Sequence, residues 1–177
     1  MSETPETLES FYALAQQHDD DAFAAATAPF FLVGPPMTEA SDDWSYFTSS
    51  MVSVVDPKGS LVVDPRFEVY ALHKEKSRPF ADLLMVGRST SNDVQILDTS
   101  ISKLHCKFHL GATLMLSDAG SSNGTTVDGR TLPPDVPVEV EDGSVLQLGS
   151  RVFTLVDAAH FRSVVLKVDK VMRGREP

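Results

Sequence analysis

The chain has a single cysteine, Cys106, among its 177 residues, so no internal disulfide framework can hold it together. It has no apolar run near the roughly 18 residues that a membrane-crossing helix needs. Its amino terminus has neither the basic flank nor the apolar stretch of a secretory signal. A cytoplasmic protein without membrane insertion is the expectation. Basic residues are scarce: 15 Lys and Arg stand against 25 Asp and Glu, for a net charge of −10. That balance argues against nucleic acid, whose phosphate backbone demands a basic face. Catalytic signatures are missing as well. There is no Gly-x-Ser-x-Gly elbow, no Walker-type phosphate loop and no His-Glu-x-x-His, and the five histidines and one cysteine have no metal-ligand spacing. No enzyme activity, metal or cofactor is expected.

The charge that is present is unevenly placed. Residues 1–47 hold nine acidic side chains and neither Lys nor Arg, whereas residues 158–177 hold five basic against two acidic. The first segment reads as helical. Thr4 is placed to cap a helix with Pro5 at its first position, and Leu8, Phe11, Tyr12 and Ala15 then share a face. Asp19 to Asp21 can cap a second short helix through Ala26, and Phe30 to Val33 is either a strand or a staple onto the main domain. Pro35-Pro36 through Trp44 reads as a linker, and residues 50–65 carry strand-like patches broken by Asp-Pro-Lys-Gly and Asp-Pro.

From Arg66 onward short alternating runs separated by turn residues predict an all-β sandwich. The expected strands are Phe67–His73, Leu83–Gly87, Val94–Ile96, His105–Leu110, Thr113–Leu116, Thr125–Val127, Val136–Val140, Val145–Leu148 and Val152–Val156. Lys74 to Pro79 is expected to be a hairpin loop, and Asp128-Gly129 is a tight-turn signature. Cys106 alternates with Phe108 and Leu110 against Lys107 and His109, which makes it a buried small hydrophobe. After Asp157 the period changes, and Phe161, Val164, Val165, Val168 and Met172 fall at helical spacing.

Three polar clusters lie where strands end: Gly87-Arg88, Ser102-Lys103-Leu104-His105 and Ser121-Ser122-Asn123-Gly124-Thr125. An arginine, a lysine, hydroxyls and an amide on one rim offer many donors and little negative charge, the chemistry of an oxyanion receptor. Read singly, each cluster is ordinary: a solvated arginine, a turn cap, an Asn-Gly turn. A Ser-x-x-His in an extended segment also aims its two side chains to opposite faces, which disfavours a Ser–His catalytic pair.

In order and spacing the clusters resemble the forkhead-associated (FHA) domain, with Ser91-Asn92-Asp93, Asp118 and Asp142-Gly143-Ser144-Val145-Leu146-Gln147-Leu148-Gly149 as further matching context. The resemblance covers roughly residues 60 to 157 and implies an FHA-like β-sandwich of two antiparallel sheets that binds phosphothreonine peptides without catalysis. It implies phosphopeptide contacts from Arg88, Ser102, Lys103, Ser122 and Asn123. Arg88 would grip phosphate through its planar fork, whereas Lys103 stands where many relatives have Arg or Asn and keeps charge without the fork. Gly87, His105 and Gly124 would brace the loops, as would Asn92 and Asp93.

The domain organisation expected is an acidic, partly helical extension over 1–47, the sandwich over 48–157 and a helix or tail over 158–177. By the same resemblance, specificity for the residue three positions after the phosphothreonine is expected from the Thr99-Ser100-Ile101 loop and the Thr126-to-Arg130 turn, with Ser100 and Thr126 as candidates. The expected partners are a phosphothreonine protein or peptide, with a Ser/Thr protein kinase upstream in signalling, and an intramolecular contact of the acidic segment. That segment could dock on the basic carboxy-terminal residues or cover Arg88 and Lys103. The alternative is a degenerate FHA scaffold that mediates assembly without phosphate.

Overall fold

The computed structural model describes residues 6–36, 66–74 and 79–173, the last five by backbone alone. Strands that carry apolar side chains on both faces organise it. In the strand Phe30–Gly34, Phe31 and Val33 enter one hydrophobic core and Leu32 enters another. In the strand Arg151–Asp157, Phe153 and Leu155 face the second core while Val156 faces the first. Near-continuous apolar runs of this kind mark strands covered on both sides. The result is three layers: helices, a seven-stranded sheet and a five-stranded sheet.

The seven-stranded sheet has the spatial order β1 (Glu6–Thr7), β3 (Glu68–Ala71), β2 (Phe30–Gly34), β12 (Arg151–Asp157), β11 (Val145–Leu148), β8 (Thr125–Val127), β9 (Arg130–Thr131). The five-stranded sheet has the order β10 (Val138–Glu139), β7 (Met115–Asp118), β6 (Cys106–His109), β4 (Leu83–Gly87), β5 (Val94–Gln95). Among the described strands all pairings are antiparallel except β4 with β5. Leu84, Val86, Phe108 and Leu116 of the smaller sheet meet Leu146, Leu148, Phe153 and Leu155 of the larger between the layers.

The outer face of the larger sheet is covered by a 3-10 turn (Leu8–Phe11) and the helices α1 (Tyr12–Gln17), α2 (Asp20–Ala26) and α3 (Ala158–Arg173). Phe31 of the sheet stacks on Phe161 of α3 with centroids 4.1 Å apart, and Phe11 sets its ring edge-on to both at 5.7 and 5.1 Å. Burial of each such ring is worth roughly 1.5–3 kcal/mol. Arg162 of α3 then ties down both amino-terminal helices: its Nε donates to the Ala15 carbonyl (2.9 Å) and its Nη1 to Asp20 Oδ1 (3.0 Å).

Several elements differ from the sequence expectations. Thr4 and Pro5 lie outside the described residues, and the first helical turn starts at Leu8 with Thr7 at its N-cap. The second helix does follow the expectation: Asp19 caps α2 through the Ala22 N–H (2.9 Å), and α2 ends at Ala26. Phe30–Gly34 is neither a staple nor part of a separate extension. It pairs with β3 on one side and β12 on the other, so the boundary at residue 47 cuts through the sheet. The polar segment Ser102–His105 bends before β6 begins at Cys106, because the Ser102 and Lys103 carbonyls are taken by the loop N–H groups of Arg88 and Ser89, and only His105 reaches a strand, through its N–H to the Val86 carbonyl. β9 was not expected. It arises because Asp128 (φ 49°) and Gly129 (φ 78°) form a two-residue turn whose twist pairs Arg130 back onto Val127. The expected 35–44 linker beyond Pro36, the 50–65 patches up to Pro65 and residues 75–78 of the expected hairpin loop lie outside the described residues.

Candidate functional site

Antiparallel pairing brings six strand ends to one edge of the sandwich: the carboxyl ends of β4, β7 and β11 and the amino ends of β6, β8 and β12. The loops that leave these ends hold all three polar clusters. Gly87 closes β4 where a Cβ would come within 2.5 Å of the Lys103 carbonyl and 2.9 Å of Asn92 Nδ2, so only glycine lets the two loops touch. Across that contact the Arg88 N–H donates to the Ser102 carbonyl (2.9 Å) and the Ser89 N–H to the Lys103 carbonyl (3.1 Å). Buried Asn92 bridges the same loops, donating through Nδ2 to the carbonyls of Ser89 and Lys103. Asp93 accepts the Met85 N–H (2.8 Å) and pairs with Lys74 (2.9 Å), holding the start of β5 against β4.

Arg88 is exposed at the rim. Its Nε donates to the Ile101 carbonyl (3.2 Å), which fixes the plane of the guanidinium, while its two Nη groups make no hydrogen bond among the described residues. Lys103 is exposed beside it. Ser102 Oγ accepts the Ser122 N–H (2.9 Å) and lies 3.4 Å from Ser122 Oγ, so the second and third clusters touch. Asn123 is exposed, and its Nδ2 donates to the Ser100 carbonyl (2.7 Å).

Behind the rim, His105 is fully buried. Its Nδ1 lies 3.1 Å from the Ser102 N–H, and its Nε2 lies 3.1 Å from the Gly124 carbonyl. A backbone N–H can only donate and a carbonyl can only accept, so the ring is neutral with its proton on Nε2. Gly124, at φ 80°, turns that carbonyl inward, where it also receives the Gly149 N–H (3.1 Å). Burial lowers the His105 pKa, partly offset by the Gly124 bond and by the charge of Asp118.

Asp118, also buried, closes the third cluster. Its carboxylate takes the hydroxyls of Ser121 (2.6 Å) and Thr125 (2.6 Å) and the N–H groups of Gly120 (2.8 Å) and Ser121 (2.9 Å). Burial works against the charged carboxylate, but these bonds outweigh it and hold its pKa below the ordinary range. The acid is spent inside the loop, and the rim keeps its donors.

The structure therefore brings together Arg88, Ser102, Lys103, Ser122, Asn123 and Ser100, with Gly87, His105 and Gly124 behind them. Thr126 falls elsewhere. It lies within β8, paired with Gln147 and Thr131, and the Asp128-Gly129 turn it leads to sits at the far end of that strand. Three residues of strand separate the turn from the rim, about 10 Å. The expectation that the Thr126-to-Arg130 turn lines the rim is corrected accordingly. Sequence reasoning missed Asp98, Gly149, Ser150 and Arg151, which support Ser100 from behind. Asp98 and Arg151 meet only through the fold, so no local pattern marks them.

His105→Ala is expected to lower both melting temperature and rim function, since it cuts the tie between two loops and leaves a cavity. The titration has a definite sign. An imidazole whose folded-state pKa is depressed contributes stability that is complete above about pH 6.5 and is lost as pH falls below it, because the unfolded chain takes up the proton first. Thermal melts between pH 7.5 and 5 check this: the parent should lose stability below pH 6.5 more steeply than His105→Gln.

Residues 84–149 match the family model of the FHA domain. An FHA domain-containing protein of Arabidopsis thaliana is 34% identical over 76 residues, 42% of this chain and 20% of that protein. The chain thus spans about a fifth of the length of this curated relative. Among solved structures, an FHA domain of Chlamydia trachomatis is 30% identical, with 48% of this chain and 82% of that one covered and a TM-score of 0.40. The N-terminal FHA domain of S. cerevisiae Rad53p, solved in complex with a phosphothreonine peptide, is 18% identical, with 54% and 88% covered and a TM-score of 0.44. Among the described residues no helix is long and apolar enough to cross a membrane.

Proposed function

We propose that this chain, which carries an FHA domain over residues 84–149, is a non-catalytic receptor for phosphothreonine peptides, acting downstream of a Ser/Thr protein kinase. Among the described residues, the observation that carries the reading is the convergence of hydrogen-bond donors on one rim with no carboxylate among them. The Arg88 Nη groups, the Ser102 and Ser122 hydroxyls and the Lys103 ammonium share one rim, while Asp93, Asp98 and Asp118 are engaged behind it. Arg88 would take two phosphate oxygens with parallel charge-assisted bonds, Ser102 and Ser122 a third, and Asn123 the peptide backbone. Lys103 would add charge at the edge. A nucleophile is not supported, because His105 has both ring nitrogens on backbone groups and none left to activate Ser102.

The experiment is calorimetric titration with matched phosphorylated and unphosphorylated peptides. Binding of both alike would favour the phosphate-independent scaffold. Phosphothreonine and phosphoserine carry the same charge, so discrimination must come from the threonine methyl, worth roughly 0.8 kcal/mol or about fourfold in affinity. A preference of at least several-fold for phosphothreonine is expected, and equal binding of matched peptides would count against the receptor.

A further inference from the structure

Arg151 is a buried guanidinium in the sheet, 53 residues from the nearest loop acid it meets, and its partners lead to the rim. Its Nη2 pairs with Glu68 Oε2 (2.6 Å) and donates to the Pro35 carbonyl (3.0 Å), and its guanidinium carbon lies 5.2 Å above the Phe153 ring. Tyr70 donates to the same Glu68 oxygen (2.9 Å). These contacts satisfy a buried ion pair. They do not account for the fourth, in which Nη1 reaches Asp98 Oδ2 at 3.8 Å.

Asp98 belongs to the loop that carries Ser100. Its Oδ1 receives both the N–H and the hydroxyl of Ser100, each at 2.7 Å. Ser100 Oγ in turn accepts the Ser150 N–H (3.1 Å) and the Ser150 hydroxyl (2.8 Å). Gly149 stands against Ser100 so closely that a Cβ there would lie 2.5 Å from the Ser100 carbonyl oxygen. Ser100 is thus held from three sides, and its carbonyl receives Asn123 Nδ2 at 2.7 Å. A carbonyl can only accept, so this contact decides which end of the Asn123 amide points away from the domain. The exposed end is Oδ1, an acceptor.

We propose that the Asp98–Arg151 pair positions Asn123 through Ser100, presetting its amide to accept a hydrogen bond from a peptide backbone N–H. Asp98 and Arg151 touch no ligand; they are positioning residues. The inference rests on the receptor reading and deepens it, because it assigns the direction of one recognition bond. Without the Arg151 charge, Asp98 has little to keep it off water, Ser100 loses its fixed carbonyl and the amide is free to turn. Ordering it then falls to the ligand.

The test uses the full chain and a phosphothreonine peptide. Asp98→Asn leaves the Arg151–Glu68 pair intact. It is expected to weaken binding about three- to tenfold, the cost of one imperfect hydrogen bond, and to have less than a twofold effect in an Asn123→Ala background. The free protein supplies a second readout. The side-chain amide signals of Asn123 should be dispersed and slow to exchange in the parent, and should move to ordinary solvent positions in Asp98→Asn. Because Arg151→Met alone strands Glu68, the matched pair is Arg151→Met with Glu68→Leu, which should reproduce both effects in a folded protein. Unchanged affinity and unmoved Asn123 signals in these variants, or an equal loss with and without Asn123, would overturn the positioning role. A parent protein that binds no phosphothreonine peptide while Asn123 still responds to Asp98→Asn would overturn the receptor reading instead.

Discussion

Arg88→Ala is expected to abolish measurable phosphothreonine-peptide binding and to leave the melting temperature nearly unchanged. The two effects separate because of how the side chain is built in. Its Nε makes the Ile101 contact that orients it, and the Nη groups are left for a ligand. Loss of one hydrogen bond at an exposed side chain costs the fold roughly 0.5–1.5 kcal/mol at most. Loss of two charge-assisted bonds to phosphate removes about 1.5–3 kcal/mol each, which together spans roughly two to four decades of affinity. Arg88→Lys keeps the charge but not the fork and should fall between the two. Calorimetry and thermal melts on the same preparations give both numbers, and binding by Arg88→Ala within a few-fold of the parent would remove Arg88 from the site.

Deleting residues 1–47 is expected to abolish cooperative folding rather than merely release a domain. The matched region, 84–149, contains neither β2 nor its partners β3 and β12. Without β2, those two strands lose their shared neighbour: β3, which also loses β1, is left without a ladder, and β12 keeps only its pairing with β11. Leu32 leaves the inter-sheet core, while Phe11, Phe23 and Phe31 leave the core between the larger sheet and the helices and expose Phe161. Truncation of a single buried Phe typically costs about 3–5 kcal/mol, and a domain of this size holds only about 5–15 kcal/mol in all. Circular dichroism and a thermal melt of residues 48–177 provide the check; a cooperative transition near that of the parent would mean that β2 is dispensable. Deletion is therefore a poor probe of occlusion by the amino-terminal segment. Substituting exposed acids there, such as Asp20 at the Arg162 contact, leaves the sheet intact.

Much of the sandwich was legible because its signals are local. Leu83–Gly87 of the smaller sheet and Thr125–Val127 of the larger have the same limits in sequence and structure; the first ends where a polar cluster begins and the second begins where one ends. The Asp128-Gly129 turn follows from two residues that tolerate positive φ. The rim could be listed from the chain for the same reason, since Arg88, Ser102 and Asn123 each sit beside a turn or strand end whose chemistry is readable within a few residues. Phe30–Gly34 was harder. Its run of apolar residues suits a strand, but whether it staples, edges or bisects a sheet depends on β3 and β12, whose aligned partners lie 34 to 40 positions further on (Gly34 with Glu68 to Phe31 with Ala71) and 121 to 127 positions further on (Val33 with Thr154 to Phe30 with Asp157).

By itself, then, the sequence determined the donor-rich clusters, the alternation that makes strands, and the amphipathic spacing of α3, because each depends on bonds and side-chain periods a few residues long. Only the tertiary structure decided that Thr126 leads away from the rim, that β2 is interior, and that Arg151 stands behind Asp98 and Ser100. Those outcomes rest on pairings between distant segments. A residue pattern carries no record of such pairings until burial of the two cores selects one register among many.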